Sequence, residues 1–298
     1  MVARELGCEI VSADSRQFYA GLEIGSSAPP KEWLDEIPHH FVGTVPLNQT
    51  ITAGEYGKFA REVCIDIVSR GKTPLVVGGS GLFVRALVDG FAPVPPGSPA
   101  IRLEIEQELA NGQFESLFAE LNDADPEYAR LVTRTTPKRL IRALEVQRLS
   151  GKSFSAWHRD NQPLEWCNPM MIGLERPRPE LRENIGNRTR EMIGNGWLRE
   201  VERLLALYSN IENFPPPAKE AVGYHLLAEV ISGIRSLEEA TELIIIATRQ
   251  FAKRQMTWFR ANKRTDWLME TGQDAPKRWA AAINERWRCF VQNSLEVR

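Results

Sequence analysis

The pattern of apolar and polar residues predicts an α/β protein built on a parallel sheet. Short apolar runs typical of buried strands occur at residues 9–12, 74–77 and 170–174. Between the first two, residues 54–69 repeat apolar side chains at helical spacing. Strands that alternate with helices pair in parallel, and their carboxyl ends then meet at one edge of the sheet, where ligands usually bind.

A change of pattern divides the chain into two predicted domains. The proline-rich residues 92–99 break the periodicity, and from residue 100 to about 157 nearly all of the pattern is helical. We therefore predict an α/β core formed by residues 1–97 and 166–298, and a helical insertion domain formed by residues 98–165. Two long helices are predicted in the second part of the core, at residues 179–207 and 237–260.

Composition places the chain among soluble globular proteins. Of its 298 residues 43% are hydrophobic and 26% charged, and no apolar run approaches the roughly 20 residues that cross a bilayer. The four cysteines show neither CxxC nor Cys/His spacing, which argues against a disulfide framework and a zinc site. We expect a cytoplasmic protein without a membrane segment, and no metal ligand is assigned.

The net charge of −2 conceals two basic segments. The cations of the first are Arg130, Arg134, Lys138, Arg139, Arg142 and Arg148, and those of the second are Arg249, Lys253, Arg254, Arg260, Lys263 and Arg264. Charge alone leaves two interpretations equally open. Such faces bind the phosphates of nucleic acid, or they simply meet water.

Two features lie where the predicted strands end. Asp14 follows the first strand, where a carboxylate can accept a hydrogen bond from a ligand, although an aspartate in this position more often forms a turn or caps a helix. Residues 78–81 (GGSG) follow the second strand. A glycine-rich turn lets backbone amides approach phosphate, but it also serves for tight packing, and this turn has no lysine.

Six phrases occur in the order found in one enzyme family. They are SADSRQFY at 12–19, PHH at 38–40, VGGSGL at 77–82, RALEV at 142–146, AVGY at 221–224 and KRQMTWFR at 253–260. The chain therefore resembles the tRNA dimethylallyltransferases over nearly its whole length. The resemblance implies a P-loop NTPase-like parallel sheet core with a helical insertion domain.

The resemblance also implies a reaction. These enzymes transfer the dimethylallyl group of dimethylallyl diphosphate to N6 of the adenosine that follows the anticodon on its 3′ side. The implied partners are the tRNA anticodon stem-loop and dimethylallyl diphosphate, the implied cofactor is Mg²⁺, and the protein is expected to be a monomer.

The family motifs assign roles to particular residues. Asp14 corresponds to the acceptor of the N6 proton, Arg188 to the arginine that reaches the transferring group, and Ser80 to a threonine beside the substrate nucleotide. Contact with tRNA is implied for Asp14, Ser15, Arg16, Gln17, Ser80, Lys138, Arg139, Leu140, Ile141, Arg142, Glu220, Ala221, Val222, Gly223, Tyr224, His225, Lys253, Arg254, Gln255, Met256, Thr257, Trp258, Phe259 and Arg260.

One part of the family pattern is absent. Relatives carry a phosphate-binding loop of the type GPTxSGK[ST] before the segment that corresponds to residues 1–7, and this sequence has no such loop. We expect an N-terminally truncated chain whose catalysis is severely impaired. The alternatives are a catalytically dead tRNA-binding remnant and an adenylate isopentenyltransferase acting on free nucleotide. The insertion and the basic residues 253–260 favour tRNA over free nucleotide.

Overall fold

The computed structural model describes residues 1–160 and 166–296. The strands of these residues are β1 (Cys8–Ser12), β2 (His39–His40), β3 (Thr73–Val77), β4 (Met171–Glu175) and β5 (Thr265–Met269). The helices are α1 (Val2–Leu6), α2 (Lys31–Glu36), α3 (Ala53–Ser69), α4 (Gly81–Val88), α5 (Pro99–Ala110), α6 (Phe114–Ala124), α7 (Pro126–Ala129), α8 (Pro137–Ser150), α9 (Phe154–Arg159), α10 (Arg178–Gly194), α11 (Trp197–Tyr208), α12 (Pro216–Lys219), α13 (Tyr224–Ile231), α14 (Leu237–Arg260) and α15 (Ala275–Glu296).

All strand pairings among the described residues are parallel, as predicted, but they form two sheets. One has the order β2-β1-β3, with Val11 opposite Val76, and the other pairs β4 with β5, with Gly173 opposite Trp267. The three predicted strands are confirmed within one residue. The first strand was predicted to be buried, and β1 is, whereas Val77 of β3 and Leu174 of β4 are about half exposed.

Capping explains why two helices begin where the sequence predicts. The Thr52 hydroxyl accepts from the backbone of Glu55 while the Glu55 carboxylate accepts from the backbone of Thr52, and Ser236 and Glu239 repeat this reciprocal arrangement before α14. Such a capping box satisfies amides that the first helical turn leaves without partners. The predicted helices at 54–69 and 237–260 are therefore confirmed.

The single helix predicted at residues 179–207 is wrong. The chain forms α10 and α11, and Gly196 between them has a φ of 99°. That left-handed backbone cannot continue a right-handed helix, and glycine adopts it without a steric penalty. The break sets the direction of α11 independently of α10.

The chain divides into two compact units, Met1–Leu87 with Cys167–Arg298, and Val88–Trp166. The boundary between the first and second units lies after Leu87, before the proline-rich residues 92–99, whereas the predicted boundary lay after Gly97. The reason is that these residues bond to α8: the Ser98 amide donates to Glu145 at 2.9 Å, and Arg142 donates to the carbonyl of Pro95 at 2.7 Å. The second unit has its own apolar core, formed by Ile105, Leu117, Leu121, Ala129, Val132, Leu140, Ile141, Ala143 and Leu144.

A buried carboxylate joins the strands of the first sheet. Glu9 on β1 is 2% exposed and contacts His40 of β2 at 2.9 Å, Lys72 at 2.9 Å and Arg70, which follows α3, at 2.8 Å. The hydrogen bonds from Arg70 above all, with those from Lys72 and His40, hold the pKa of Glu9 well below its usual range. This Glu9 cluster lies at the end of the sheet opposite the turn that contains Asp14.

Aromatic packing fixes the residues that follow β1. Phe18 is buried edge-on against Tyr56 and Phe83, with ring centroids 5.5 and 5.6 Å apart, while Tyr56 and Phe83 stack at 4.4 Å. The chain just after Asp14 is thereby held against α3 and α4. Within the described ranges, no helix is both long and apolar enough to cross a bilayer.

Candidate functional site

Asp14 forms a turn immediately after β1. Its Oδ1 atom accepts hydrogen bonds from the backbone amides of Arg16 at 2.8 Å and Gln17 at 3.4 Å. Asp14 therefore does form a turn, which was one of the two interpretations that its sequence position allowed. The turn occupies one carboxylate oxygen, and within the described ranges no hydrogen bond reaches Oδ2. The half-buried carboxylate can thus hold the turn with one oxygen and accept from a ligand with the other.

The glycine-rich turn packs directly onto the Asp14 turn. Ser80 Oγ accepts from the Ser15 amide at 2.9 Å and donates to Ser15 Oγ at 3.1 Å, and the Ser80 amide donates to the carbonyl of Ala13 at 3.1 Å. At Gly78 a Cβ atom would overlap the Ala13 backbone. Tight packing is therefore one reason for the glycines, and it brings the Ser80 and Ser15 hydroxyls together.

Helix α14 braces the glycine-rich turn from the other side. Gln255 donates from Nε2 to the carbonyl of Gly79 at 3.0 Å, and Gly81 lies so close to the Trp258 indole that a Cβ atom would overlap it. The side chains of Gln255 and Trp258 thus have packing roles that the sequence did not predict. Trp258 nevertheless remains 40% exposed.

The exposed half of α14 carries cations of two kinds. Arg260 pairs with Glu175, whereas Lys253 and Arg254 have no acidic partner in the described part of the chain. Arg254 lies over the Phe251 ring, 5.7 Å from its centroid. Of the remaining predicted tRNA contacts on this helix, Met256 and Phe259 are half-buried, and the Thr257 hydroxyl donates to its own helix backbone.

Arg16 and Gln17 hold other segments of the protein. Arg16 donates to the carbonyl of Pro217 at 3.1 Å and pairs with Glu220 at 3.4 Å. Gln17 donates from Nε2 to the carbonyl of Ser27 at 3.1 Å. In this conformation both side chains anchor the Asp14 turn to its neighbours, whatever they contribute to binding.

The prediction that residues 220–225 touch tRNA needs correcting at Tyr224, whose side chain is fully buried. Burial, and next the nearby Glu200 carboxylate, raises the pKa of Tyr224, and its hydroxyl donates to Glu200 at 2.6 Å. Gly223 has a φ of 96° and lies against the Trp197 ring. The exposed side chains of this segment are those of Glu220 and His225, while Ala221 and Val222 are half-buried.

The predicted tRNA contacts on α8 also need correcting. Leu140 and Ile141 belong to the apolar core of the second unit and are 0% and 7% exposed, so their side chains cannot reach a ligand. Arg142 is held by Glu145 at 2.8 Å, and Arg139 donates to the carbonyl of Leu131 at 3.1 Å. Lys138 and Arg139 are exposed, so a phosphate contact by this segment remains a prediction for those two residues.

Arg188 lies on the exposed side of α10. It has no ion-pair partner among residues 1–160 and 166–296, and no hydrogen bond joins it to Asp14. Its neighbour Arg190 pairs with Glu242 at 3.4 Å. The assignment of Arg188 to the transferring group therefore stays a prediction.

The sequence reasoning missed Glu200. This residue is 1% exposed and accepts hydrogen bonds from the amides of Ile24 at 2.8 Å and Gly25 at 3.0 Å in addition to that from Tyr224. A signal was present, because Glu200 shares the apolar face of α11 with Trp197, Val201 and Leu204. A charged residue on such a face is unusual unless its oxygens have partners.

The described residues contain no group of three or more histidine, cysteine, aspartate or glutamate side chains that could hold a metal ion. The oxygen groups that meet at the two turns are the Asp14 carboxylate and the hydroxyls of Ser15 and Ser80. Magnesium commonly binds proteins through one or two carboxylates while keeping waters and substrate phosphates as its other ligands. The turn fits that mode and does not fit a centre made of protein ligands alone.

The fold and site define an α/β enzyme with its candidate chemistry at the carboxyl ends of parallel strands. The chain belongs to a family described as IPP transferase, whose model matches residues 17–262.

Comparison with individual proteins agrees with this assignment. The tRNA dimethylallyltransferase of Chlorobaculum parvum is 37% identical over 269 residues, which are 90% of this chain and 86% of that protein. The solved tRNA isopentenylpyrophosphate transferase of Bacillus halodurans is 27% identical with a TM-score of 0.70, over 100% of this chain and 92% of that one. A eukaryotic dimethylallyltransferase acting on tRNA shares the fold, with a TM-score of 0.80 and 23% identity over 98% of this chain and 75% of that one. The predicted P-loop-like α/β fold is confirmed.

Proposed function

We propose that this chain is a tRNA dimethylallyltransferase, which transfers the dimethylallyl group of dimethylallyl diphosphate to N6 of the adenosine on the 3′ side of the anticodon. One observation carries the proposal. In this member of the IPP transferase family, a hydrogen bond between Ser15 and Ser80 joins the Asp14 turn to the glycine-rich turn. Gln255 of α14 bonds to the glycine-rich turn and holds it from the other side.

Asp14 is suited to activating a weak nucleophile. The lone pair of an adenine N6 amine is delocalised into the ring, so the amine needs an acceptor that orients it and takes its proton. As the bond between N6 and the dimethylallyl carbon forms, the carbon–oxygen bond to diphosphate breaks, and the proton passes to Asp14. The two amides that bind Oδ1 keep the carboxylate in place while Oδ2 faces the substrate.

The leaving diphosphate requires positive charge, because negative charge accumulates on its oxygens as the bond lengthens. We assign this role to Arg188, whose guanidinium has no acidic partner in the described part of the chain. We also propose a Mg²⁺ ion held mainly by the diphosphate and water, with the Ser15 and Ser80 hydroxyls as the protein groups beside it, which leaves Asp14 Oδ2 free for the N6 proton. The ion would neutralise the charge that develops on the leaving group.

The partner that we propose is the anticodon stem-loop of tRNA. Lys253 and Arg254 are exposed on α14 and form no ion pair among the described residues, which suits them to RNA phosphates. Lys138 and Arg139 are proposed for the same task in the second unit. The proposed place for the unstacked adenine is beside Asp14 and Ser80, where its edge can form hydrogen bonds. We propose that the protein acts in the cytoplasm as a monomer.

The absence of a GPTxSGK[ST] loop from these 298 residues leads to a proposal about activity. Such a loop supplies several amides and a lysine to the diphosphate, and loss of a single donor of this kind costs about 100-fold in rate. We therefore propose that these 298 residues bind tRNA but do not turn over the prenyl donor.

A filter assay tests the function. Transfer of labelled dimethylallyl to unmodified tRNA is compared for the 298 residues and for the same chain preceded by a segment that contains a GPTxSGK[ST] loop. We expect transfer only by the longer protein. Equal turnover would show that the diphosphate is held within the 298 residues. Transfer to AMP in place of tRNA would identify an adenylate isopentenyltransferase, and tRNA binding without transfer by either protein would identify a binding remnant.

A further inference from the structure

Glu200 lies outside all six family phrases, yet it contacts two segments that adjoin the candidate site. We infer that Glu200 is a positioning residue: its carboxylate ties the loop of residues 21–28 to Tyr224 and so fixes the Asp14 turn in the geometry that receives the adenine. This inference rests on the proposed function and deepens it.

The hydrogen bonds to Glu200 come from neutral groups on two segments. Oε2 accepts from the Ile24 amide, and Oε1 accepts from both the Gly25 amide and the Tyr224 hydroxyl. No cation pairs with Glu200 within the described residues. A buried carboxylate without hydrogen-bond partners is costly, so the ion requires these donors in place. The first turn of α11, where Glu200 lies, contributes the favourable field of a helix N-terminus.

The contact between the two segments is too close for any residue other than glycine at position 25. A Cβ atom on Gly25 would overlap the Tyr224 hydroxyl and the Trp197 indole. The loop is therefore pressed onto α11 and α13 at the point where Glu200 accepts from its backbone. The link between the loop and Tyr224 therefore depends on the close packing at Gly25 as well as on the charge of Glu200.

The loop of residues 21–28 and the segment before Tyr224 each contact the Asp14 turn. Gln17 donates to the carbonyl of Ser27 in the loop, and Arg16 donates to the carbonyl of Pro217 and pairs with Glu220 on the Tyr224 side. The amides of these same two residues, Arg16 and Gln17, hold Oδ1 of Asp14. Glu200 thus closes a ring of contacts, and its loss removes the hydrogen bonds that join the two segments, leaving only the packing of Gly25 against Tyr224 and Trp197.

The test measures adenine unstacking and needs no prenyl donor. An anticodon stem-loop that keeps the target adenosine and carries 2-aminopurine as the next base on its 3′ side is titrated with the 298-residue protein, and the rise in fluorescence at saturation reports that the adenine has unstacked from this neighbour. For Glu200→Gln we expect the rise to fall to less than half of the wild-type value while the dissociation constant changes less than about 3-fold, since Lys253 and Arg254 are untouched. The glutamine keeps one acceptor but turns an NH₂ group toward a backbone N–H.

Two further variants make the result interpretable. Glu202→Gln removes the same charge from an exposed position on α11 and should behave as wild type. Tyr224→Phe keeps the hydrogen bonds between Glu200 and the loop of residues 21–28 but removes the one between Glu200 and Tyr224, so it should lower the fluorescence rise as well. Because both substitutions break the same contact between Glu200 and Tyr224, the fluorescence rise of the double variant should fall by less than the sum of the two single decreases. If Glu200→Gln does not fold, Tyr224→Phe provides the test.

The outcomes separate this inference from the function on which it rests. No fluorescence rise with wild-type protein would contradict adenine recognition itself. A normal rise in both Glu200→Gln and Tyr224→Phe would overturn the positioning role. A fall in affinity that parallels a fall in melting temperature, with an unchanged rise at saturation, would also overturn it, because it would show a purely structural effect.

Discussion

Gln255 donates a hydrogen bond from its side-chain amide to the backbone carbonyl of Gly79, over 3.0 Å. The bond joins the exposed basic half of α14 to the turn that holds Ser80. Since Ser80 in turn bonds to Ser15, a single chain of contacts runs from the proposed phosphate-binding face to the proposed proton acceptor. In the proposed function, RNA binding and placement of the adenine therefore both involve α14.

Asparagine in place of Asp14 separates the structural role of this residue from its chemical role. An asparagine side-chain oxygen can still accept from the Arg16 and Gln17 amides, so the melting temperature should stay within about 2 °C of wild type. The rate of prenyl transfer in the protein that carries a phosphate loop should fall about 100-fold or more, because an amide cannot take up the N6 proton. Single-turnover kinetics at saturating substrates measure this, and an unchanged rate would remove Asp14 from the chemistry.

Removal of Lys253 and Arg254, which have no acidic partner among the described residues, should reduce the electrostatic part of tRNA binding. For Lys253→Ala with Arg254→Ala, the slope of log Kd against log salt should flatten by about 2 units, one for each lost phosphate contact. The matched control is Lys31→Ala with Lys58→Ala, two exposed lysines of the same unit. Equal slopes in the two double variants would indicate that Lys253 and Arg254 belong to a solvated face and do not contact RNA phosphates.

Alanine at Gly78 should destabilise the protein, because its Cβ would overlap the Ala13 backbone, which cannot rotate away. We expect a loss of about 2–3 kcal/mol in the free energy of unfolding, measured by urea titration. Gly194 at the end of α10 is the control, since a Cβ there meets nothing within 4 Å, and alanine should change stability by about 1 kcal/mol or less. Similar effects at both positions would contradict the close packing of the two turns.

The Glu9 cluster predicts a pH-dependent contribution to stability. Because the pKa of Glu9 is lower in the folded protein than in the unfolded chain, its contribution is complete above the ordinary glutamate pKa of about 4.3 and is lost as the pH falls through the folded-state value. Glu9→Gln should cost about 1–2 kcal/mol at pH 7, an amount limited by the exposure of Arg70 and Lys72 to water.

Urea titrations of wild type and Glu9→Gln from pH 7 down to pH 3 measure this contribution. The difference between the two proteins should stay constant above about pH 5 and narrow on further acidification. Glu62→Gln, on the exposed surface of α3, is the control for the loss of one carboxylate. A difference that widened on acidification would contradict the lowered pKa.

The sequence predicted best those elements whose signals are local. The capping boxes at Thr52 and Ser236 are complete within four residues, and the phrases at 12–19, 77–82 and 253–260 do meet in space. β5 and α15 were missed. β5 buries Leu268 alone, so it lacks a clear alternation, and its pairing with β4 depends on residues far away in the chain.

The misassigned site residues share a physical cause. Leu140, Ile141 and Tyr224 lie inside segments whose neighbours are exposed, and a motif read as a continuous run cannot show which side chains point inward. Glu200 was missed for the opposite reason. Its place on the apolar face of α11 is visible in the sequence, but its partners are two backbone amides and a hydroxyl from other parts of the chain, so the sequence does not show what it binds.

The order of the strands along the chain has a consequence for synthesis on the ribosome. β1, β2 and β3 all lie within the first 77 residues, so the sheet that displays Asp14 can pair before most of the chain has emerged. The residues that anchor its turns come much later, Pro217 and Glu220 for Arg16, and Gln255 for Gly79. At about 5–20 residues per second, the nascent sheet waits on the order of ten seconds or more for these partners. The end of this sheet that carries Asp14 is thus braced well after its strands can pair, and a chain arrested before α14 holds the Asp14 carboxylate in a turn without the contact from Gln255.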